Sequence, residues 1–167
     1  MSASLTPSQT VGPFFGVGLP FEGSEQAVPP ATEGAIRIEG QVFDGEDAPV
    51  PDALIEIVQP DGKRFARCRT DPEGAFNFTT IKPAASRMPD GSVQAPHLNV
   101  TVFARGLLRH LLTRMYFPDE TLANVSDPVL NLVDPGRRST LIAEDDENVL
   151  RFDIRLQGEH ETVFFAI

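Results

Sequence analysis

Cysteine is almost missing from this chain. Cys68 is the one thiol in 167 residues, so no internal disulfide can close and a disulfide-stapled fold is excluded. Histidine is scarce as well. His97, His110 and His160 form no HxH or HxxxH pair, so no histidine-based metal clasp is visible. No run of about 18 apolar residues exists to span a bilayer. Residues 1–13 show neither the basic start nor the apolar stretch of a signal peptide, and the cytoplasm is the expected compartment. Basic residues are short in supply: 14 against 24 acidic, for a net charge of −10. That balance argues against unaided binding to nucleic acid or anionic membranes. It also means that an anionic substrate needs a local cation. No glycine-rich loop follows a strand into a helix, and no serine or cysteine sits in a nucleophile elbow.

What is present fits a soluble β protein. Hydrophobic residues make up 41% of the chain, and 15 prolines and 13 glycines supply many turns. The length suits one domain over residues 1–167, with residues 1–35 as an N-terminal arm and connection. Period-two alternation predicts strands over 36–43, 53–59 and 75–81. It also predicts a central strand through APHLNVTVFARG (95–106) and its hairpin partner over 110–117. Residues 140–143 and 149–156 are expected to form a second hairpin around the acidic run 144–148, and 162–167 a final strand. Residues 82–94 read as an irregular loop, and 118–132 as a segment with one or two helical turns. The arm, with TPSQTVGPFF at 6–15, is turn-rich and extended, but Phe14 and Phe15 are expected to dock on something. The fold class that follows is all-β: an antiparallel β-sandwich with short helical turns and an extended N-terminal arm.

In the central strand, Leu98, Val100, Val102 and Ala104 share one face. His97, Asn99, Thr101, Phe103 and Arg105 share the other. Eight residues at about 3.3 Å each set His97 and Arg105 roughly 26 Å apart, too far to serve one small site. His97, alone at a strand start, reads more readily as a structural histidine with a backbone partner than as a ligand. Arg105, just before Gly106, reads either as a solvated strand-end arginine or as a carboxylate clamp, since a guanidinium offers two parallel donors to a planar anion. Cys68 stands between Arg67 and Arg69, a setting that lowers a thiol pKa; the plainer reading is a passive thiol.

Several motifs converge. TPSQTVGPF (6–14), IRIEGQVFDG (36–45), TIKP (80–83), the PH…FARG strand (96–106), DPVLN (127–131) and RFDIRLQGE (151–159) together resemble the intradiol ring-cleavage dioxygenases over nearly the whole chain. The resemblance implies a β-sandwich and chemistry in which dioxygen opens a catechol ring between its hydroxyl-bearing carbons. The substrate implied is protocatechuate, opened to 3-carboxy-cis,cis-muconate. Catalytic chains of the family hold a non-haem ferric ion with two tyrosines and two histidines, the latter as an HxH pair. Here that pair reads His97-Leu98-Asn99. The tyrosine that follows the family's lysine-proline motif is replaced by Ala84, Ala85 and Ser86, and the chain contains one tyrosine, Tyr116. One tyrosine cannot supply two phenolates. The resemblance therefore implies a noncatalytic alpha-type subunit of a hetero-oligomer: Fe3+ is bound by a beta subunit, and this chain supplies no metal ligand. Arg105, Thr10, Gly12 and Pro13 carry over by motif match as substrate-binding residues, and Phe14 stands where relatives have tyrosine. Two other readings stay open at this point: a stand-alone β-sandwich binding module, and an independently active homo-oligomer with an unseen metal site.

Overall fold

A computed structural model describes residues 10, 12 and 15–166. Most of the arm, with Pro13 and Phe14, therefore lies outside the described residues. A single helical turn, α1 (Phe15–Gly18), leads into a loop and then the strands. β1 (Ala35–Phe43), β2 (Leu54–Val58), β3 (Phe65–Arg69) and β4 (Ala75–Ile81) follow. The expected loop of 82–94 contains a small hairpin, β5 (Ser86–Arg87) and β6 (Val93–Gln94). β7 (His97–Phe103) is the central strand and β8 (Leu111–Tyr116) its return. Helix α2 (Thr121–Ser126) and two 3₁₀ turns, Leu130–Leu132 and Pro135–Leu141, lead to β9 (Glu144–Asp146), β10 (Val149–Arg151) and β11 (Ile154–Arg155).

Two sheets face each other. The first is mixed: β1 pairs antiparallel with β4 along one edge, and in parallel with β10 and then β11 along the other. β9 extends it beyond β10. The second, β3-β2-β7-β8, is antiparallel throughout. The parallel pairs are the one departure from the expected antiparallel sandwich. Alternation explains the packing. Ile38, Val42, Phe76, Phe78 and Ile154 from one sheet meet Ile55, Ile57, Leu98, Val100 and Val102 from the other in a common core. A smaller cluster of Ala95, Tyr116, Leu130, Val133 and Leu141 sits beneath α2 and the 3₁₀ turns. Gly40 marks a close crossing. A Cβ there would lie 2.0 Å from the Phe152 carbonyl oxygen, in the gap where β10 gives way to β11.

Three expected strands are corrected, and of these 149–156 is split at Phe152 and Asp153 into β10 and β11. Residues 140–143 do not pair as a hairpin arm, because the 3₁₀ turn runs through Leu141. Asp134 caps that turn by accepting from the Gly136 N–H at 2.8 Å, and Pro135 stands at its start. The hairpin is instead the short β9–β10 pair, closed by Glu147 and Asn148, both at positive φ. Over 162–167, ladder pairing is limited among the described residues to one bridge, Phe165 with Leu112. The Thr162 N–H donates to the Arg155 carbonyl, and side-chain bonds add to it: the Arg155 N–H donates to Thr162 Oγ1, and Thr113 Oγ1 donates to the Val163 carbonyl. The helical turns expected in 118–132 are α2 and the first 3₁₀ turn.

Candidate functional site

The two ends of β7 differ sharply. At its start, His97 is 1% exposed. Its Nδ1 lies 2.7 Å from the Ala95 carbonyl oxygen, the backbone partner expected of a structural histidine, while its Nε2 is buried with no partner among the described residues. The register sets His97 opposite Tyr116, with ring centroids 5.5 Å apart. Tyr116 is fully buried. Its hydroxyl donates to Asp127 Oδ1 at 3.1 Å and accepts from Arg114 Nη1 at 3.3 Å. Asp127, also fully buried, accepts as well from the backbone N–H groups of Ala95, Val129 and Leu130. One carboxylate thus ties the start of β7 to β8 and the first 3₁₀ turn.

Electrostatics follow from this burial. Loss of solvent pushes the Tyr116 hydroxyl up to about 12, against a partial opposing pull from Arg114. Burial also holds His97 below the ordinary histidine range; the Ala95 hydrogen bond opposes that shift and the Arg114 charge adds to it. His97 is therefore neutral and Tyr116 a phenol at neutral pH. These residues do not fit the ferric ion implied by the family resemblance. His97 Nε2 is one candidate donor, Asn99 occupies the second imidazole position, and Tyr116 is committed to Asp127 in its protonated form. Among the described residues, no group of three or more histidine, cysteine, aspartate or glutamate side chains is placed to hold a metal.

At the other end, Arg105 lies in the turn just past β7, its side chain 62% exposed. It is not a lone cation. Its Nε lies 3.0 Å from Oδ2 of Asp52, whose side chain is only 15% exposed and whose Oδ1 is buried without a partner among the described residues. Phe15 docks on β7 as its composition suggested, with its ring centroid 4.9 Å from that of Phe103. This brings the arm to Arg105. Gly12, Phe15, Gly16, Asp52, Leu54, Phe103 and Arg105 line one opening of about 10 Å³, room for about one water. Thr10 is exposed, and Pro13 lies outside the described residues. Gly12 and Arg105 are thus brought together. His97 is at the far end of the strand, as the spacing predicted.

Asp52 was missed in the sequence, where it reads only as the last residue of a proline-rich turn. Its one signal is its type: aspartate tolerates a positive φ, and here φ is 62°. Cys68 is a correction to the activated alternative. Its neighbours Arg67 and Arg69 fall on the other side of β3, Arg67 pairs with Glu56, and burial pushes the thiol up. The arginines of RFDIRL act within the fold: Arg151 reaches Gln41 and Asp153, and Arg155 pairs with Asp47.

The sequence model of a family described as Dioxygenase matches residues 12–158. The chain is 42% identical to the protocatechuate 3,4-dioxygenase alpha chain of Burkholderia cepacia, over 97% of each chain. It is 28% identical to the beta chain of the same organism's enzyme, over 76% of this chain and 66% of that one. In structure it resembles the dioxygenase domain of a dioxygenase carbohydrate-binding protein fusion from Streptomyces sp. SirexAA-E. That match has a TM-score of 0.57 and 22% identity, and covers 80% of this chain and 87% of the other. With a family match over most of its length and a close relative over nearly all of it, the chain belongs to the dioxygenase family that includes the protocatechuate 3,4-dioxygenase alpha chains.

Proposed function

We propose that this chain is the alpha subunit of a protocatechuate 3,4-dioxygenase. It acts in a hetero-oligomer with a beta subunit, cleaving protocatechuate with dioxygen between its hydroxyl-bearing carbons to give 3-carboxy-cis,cis-muconate. The beta subunit holds the Fe3+. The alpha chain lines part of the substrate pocket with Arg105, Thr10, Gly12 and Pro13, and the complex works in the cytoplasm.

One observation carries this reading: the mismatch between Arg105 and the space around it. The opening beside Arg105 is about 10 Å³, whereas small-molecule sites run to roughly 300 Å³ and above. A substituted benzene ring cannot enter it. Arg105 nonetheless presents an exposed guanidinium on a chain of net charge −10, where an anionic substrate needs a local cation. Both facts fit a wall residue of a cavity that a second chain completes. The poor donor set at the His97 end fits the same division of labour.

Coexpression with a beta chain carrying the HxH pair and both tyrosines tests the proposal. The two chains should copurify with about one iron per pair, and the alpha chain purified alone should lack stoichiometric iron. Stoichiometric iron with oxygen uptake by the isolated alpha chain would overturn it, as would failure of the two chains to associate.

A further inference from the structure

We propose that Asp52 is a positioning residue for substrate binding: its largely buried carboxylate holds the Arg105 guanidinium in the orientation that meets the substrate carboxylate. The inference rests on the reading of Arg105 given above and adds the group that acts through it.

Asp52 is the fixed member of the pair. Its turn is clamped by Thr70, which is 3% exposed. Thr70 Oγ1 donates to the Val50 carbonyl and accepts from the Ala53 N–H, and the Thr70 N–H donates to the Ala53 carbonyl. The arm presses on the same turn, since a Cβ added to Gly16 would lie 3.0 Å from the Asp52 carbonyl oxygen. A residue held at φ 62° between two such contacts has little freedom to move. Arg105 is the exposed member, its side chain 62% exposed and its backbone outside the strand ladder. Without an anchor its long side chain would sample many rotamers, and substrate would have to order it. The ion pair engages Nε, on the inner part of the fork. Among the described residues Asp52 Oδ1 is buried without a partner and Oδ2 meets Arg105, so the carboxylate completes no hydrogen-bond network of those residues. Because the same turn touches Gly16, the anchor also sets Arg105 in register with the arm residues that line the opening.

The test uses the assembled alpha–beta complex and steady-state kinetics with protocatechuate. Asp52→Asn keeps the shape of the side chain and its tolerance of positive φ, but removes its charge. KM should rise about 2- to 12-fold, the range for ordering one rotamer-rich side chain on binding, with kcat little changed. The rise should vanish in an Arg105→Ala background, because the anchor acts only through Arg105. Should Asp52→Asn fail to assemble, Asp52→Glu, which keeps the charge and displaces it by one methylene, should give a smaller rise in KM with the same dependence on Arg105. If Arg105→Ala raises KM but Asp52→Asn leaves it unchanged or lowers it, the positioning role is wrong and the reading of Arg105 stands. If Arg105→Ala itself has no effect on KM, the reading of Arg105 fails. An equal rise from Asp52→Asn with and without Arg105 would make Asp52 a structural residue only.

Discussion

One face of β7 carries a buried imidazole at its start, and the turn beyond its end carries an exposed guanidinium. Around His97 the polar groups are closed on one another, from the Ala95 carbonyl to Tyr116, Arg114 and Asp127. At Arg105 the cation itself is exposed, with the largely buried carboxylate of Asp52 behind it. Apart from His97 Nε2, which has no partner among the described residues, the donors and acceptors of this network face each other, so most of its polar groups are committed to the fold. An exposed charge next to an undersized opening does little for the fold and suits an interface. Substitutions at the first end should therefore register as stability, and those at the second as turnover.

The largest effect is expected at Asp127. Replacing it by alanine strands three backbone N–H groups and the Tyr116 hydroxyl in the interior. The cost should be about 3–5 kcal/mol, or a fall in Tm of roughly 6–20 °C by calorimetry. A shift of a degree or two would mean that the network is not holding this end. Next comes alkaline pH. The Tyr116 pKa is raised from 10 to about 12, so the unfolded chain loses its proton first. Its contribution is fully present below pH 10 and is lost as pH rises through 12, roughly 3 kcal/mol in all. The phenolate absorbance that disappears in Tyr116→Phe isolates this one titration. A midpoint near 10 would show the hydroxyl to be open to water.

Arg105→Ala probes the other end. Loss of a charge-assisted bond of about 1.5–3 kcal/mol should lower kcat/KM for protocatechuate roughly 10- to 150-fold in the complex. A large fall in Tm with normal kinetics would reverse the contrast between the two ends. The smallest effect belongs to His97, whose folded pKa lies below the ordinary 6.5. The unfolded chain binds the proton first, so stability is unaffected above 6.5 and declines as pH drops through the folded value. His97→Gln should flatten that acid limb in a Tm-against-pH series. An unaltered slope would assign it to other groups.

Much of this was legible because alternation is a local signal. β1, β4, β7 and β8 lie close to where period two put them, and His97 and Arg105 fall at opposite ends as counting residues required. Residues 140–143 misled because Asp134 and Pro135, several positions upstream, start a turn that runs into them. The segment after Thr162 misled because hydroxyl bonds replace the ladder that its apolar residues suggested. Asp52 was invisible for a different reason. Its partner lies in the turn past β7, far away in sequence, and nothing in its own neighbourhood announces a largely buried carboxylate at positive φ. Gly12 was reached through its motif. Its meeting with Arg105 depends on Phe15 finding Phe103, a contact that pairing rules do not give.

The parallel edge of β1 bears on how the molecule is made. More than a hundred residues separate Ile38 from its neighbour Leu150, whereas β4 is available soon after β1 emerges from the ribosome. A nascent chain must therefore wait with one flank of an apolar strand uncovered until β10 and β11 arrive. Such long-range closure is slow and leaves time for errant association. Recombinant yield should thus depend on translation speed and chaperone supply more than the stability of the finished sandwich would suggest.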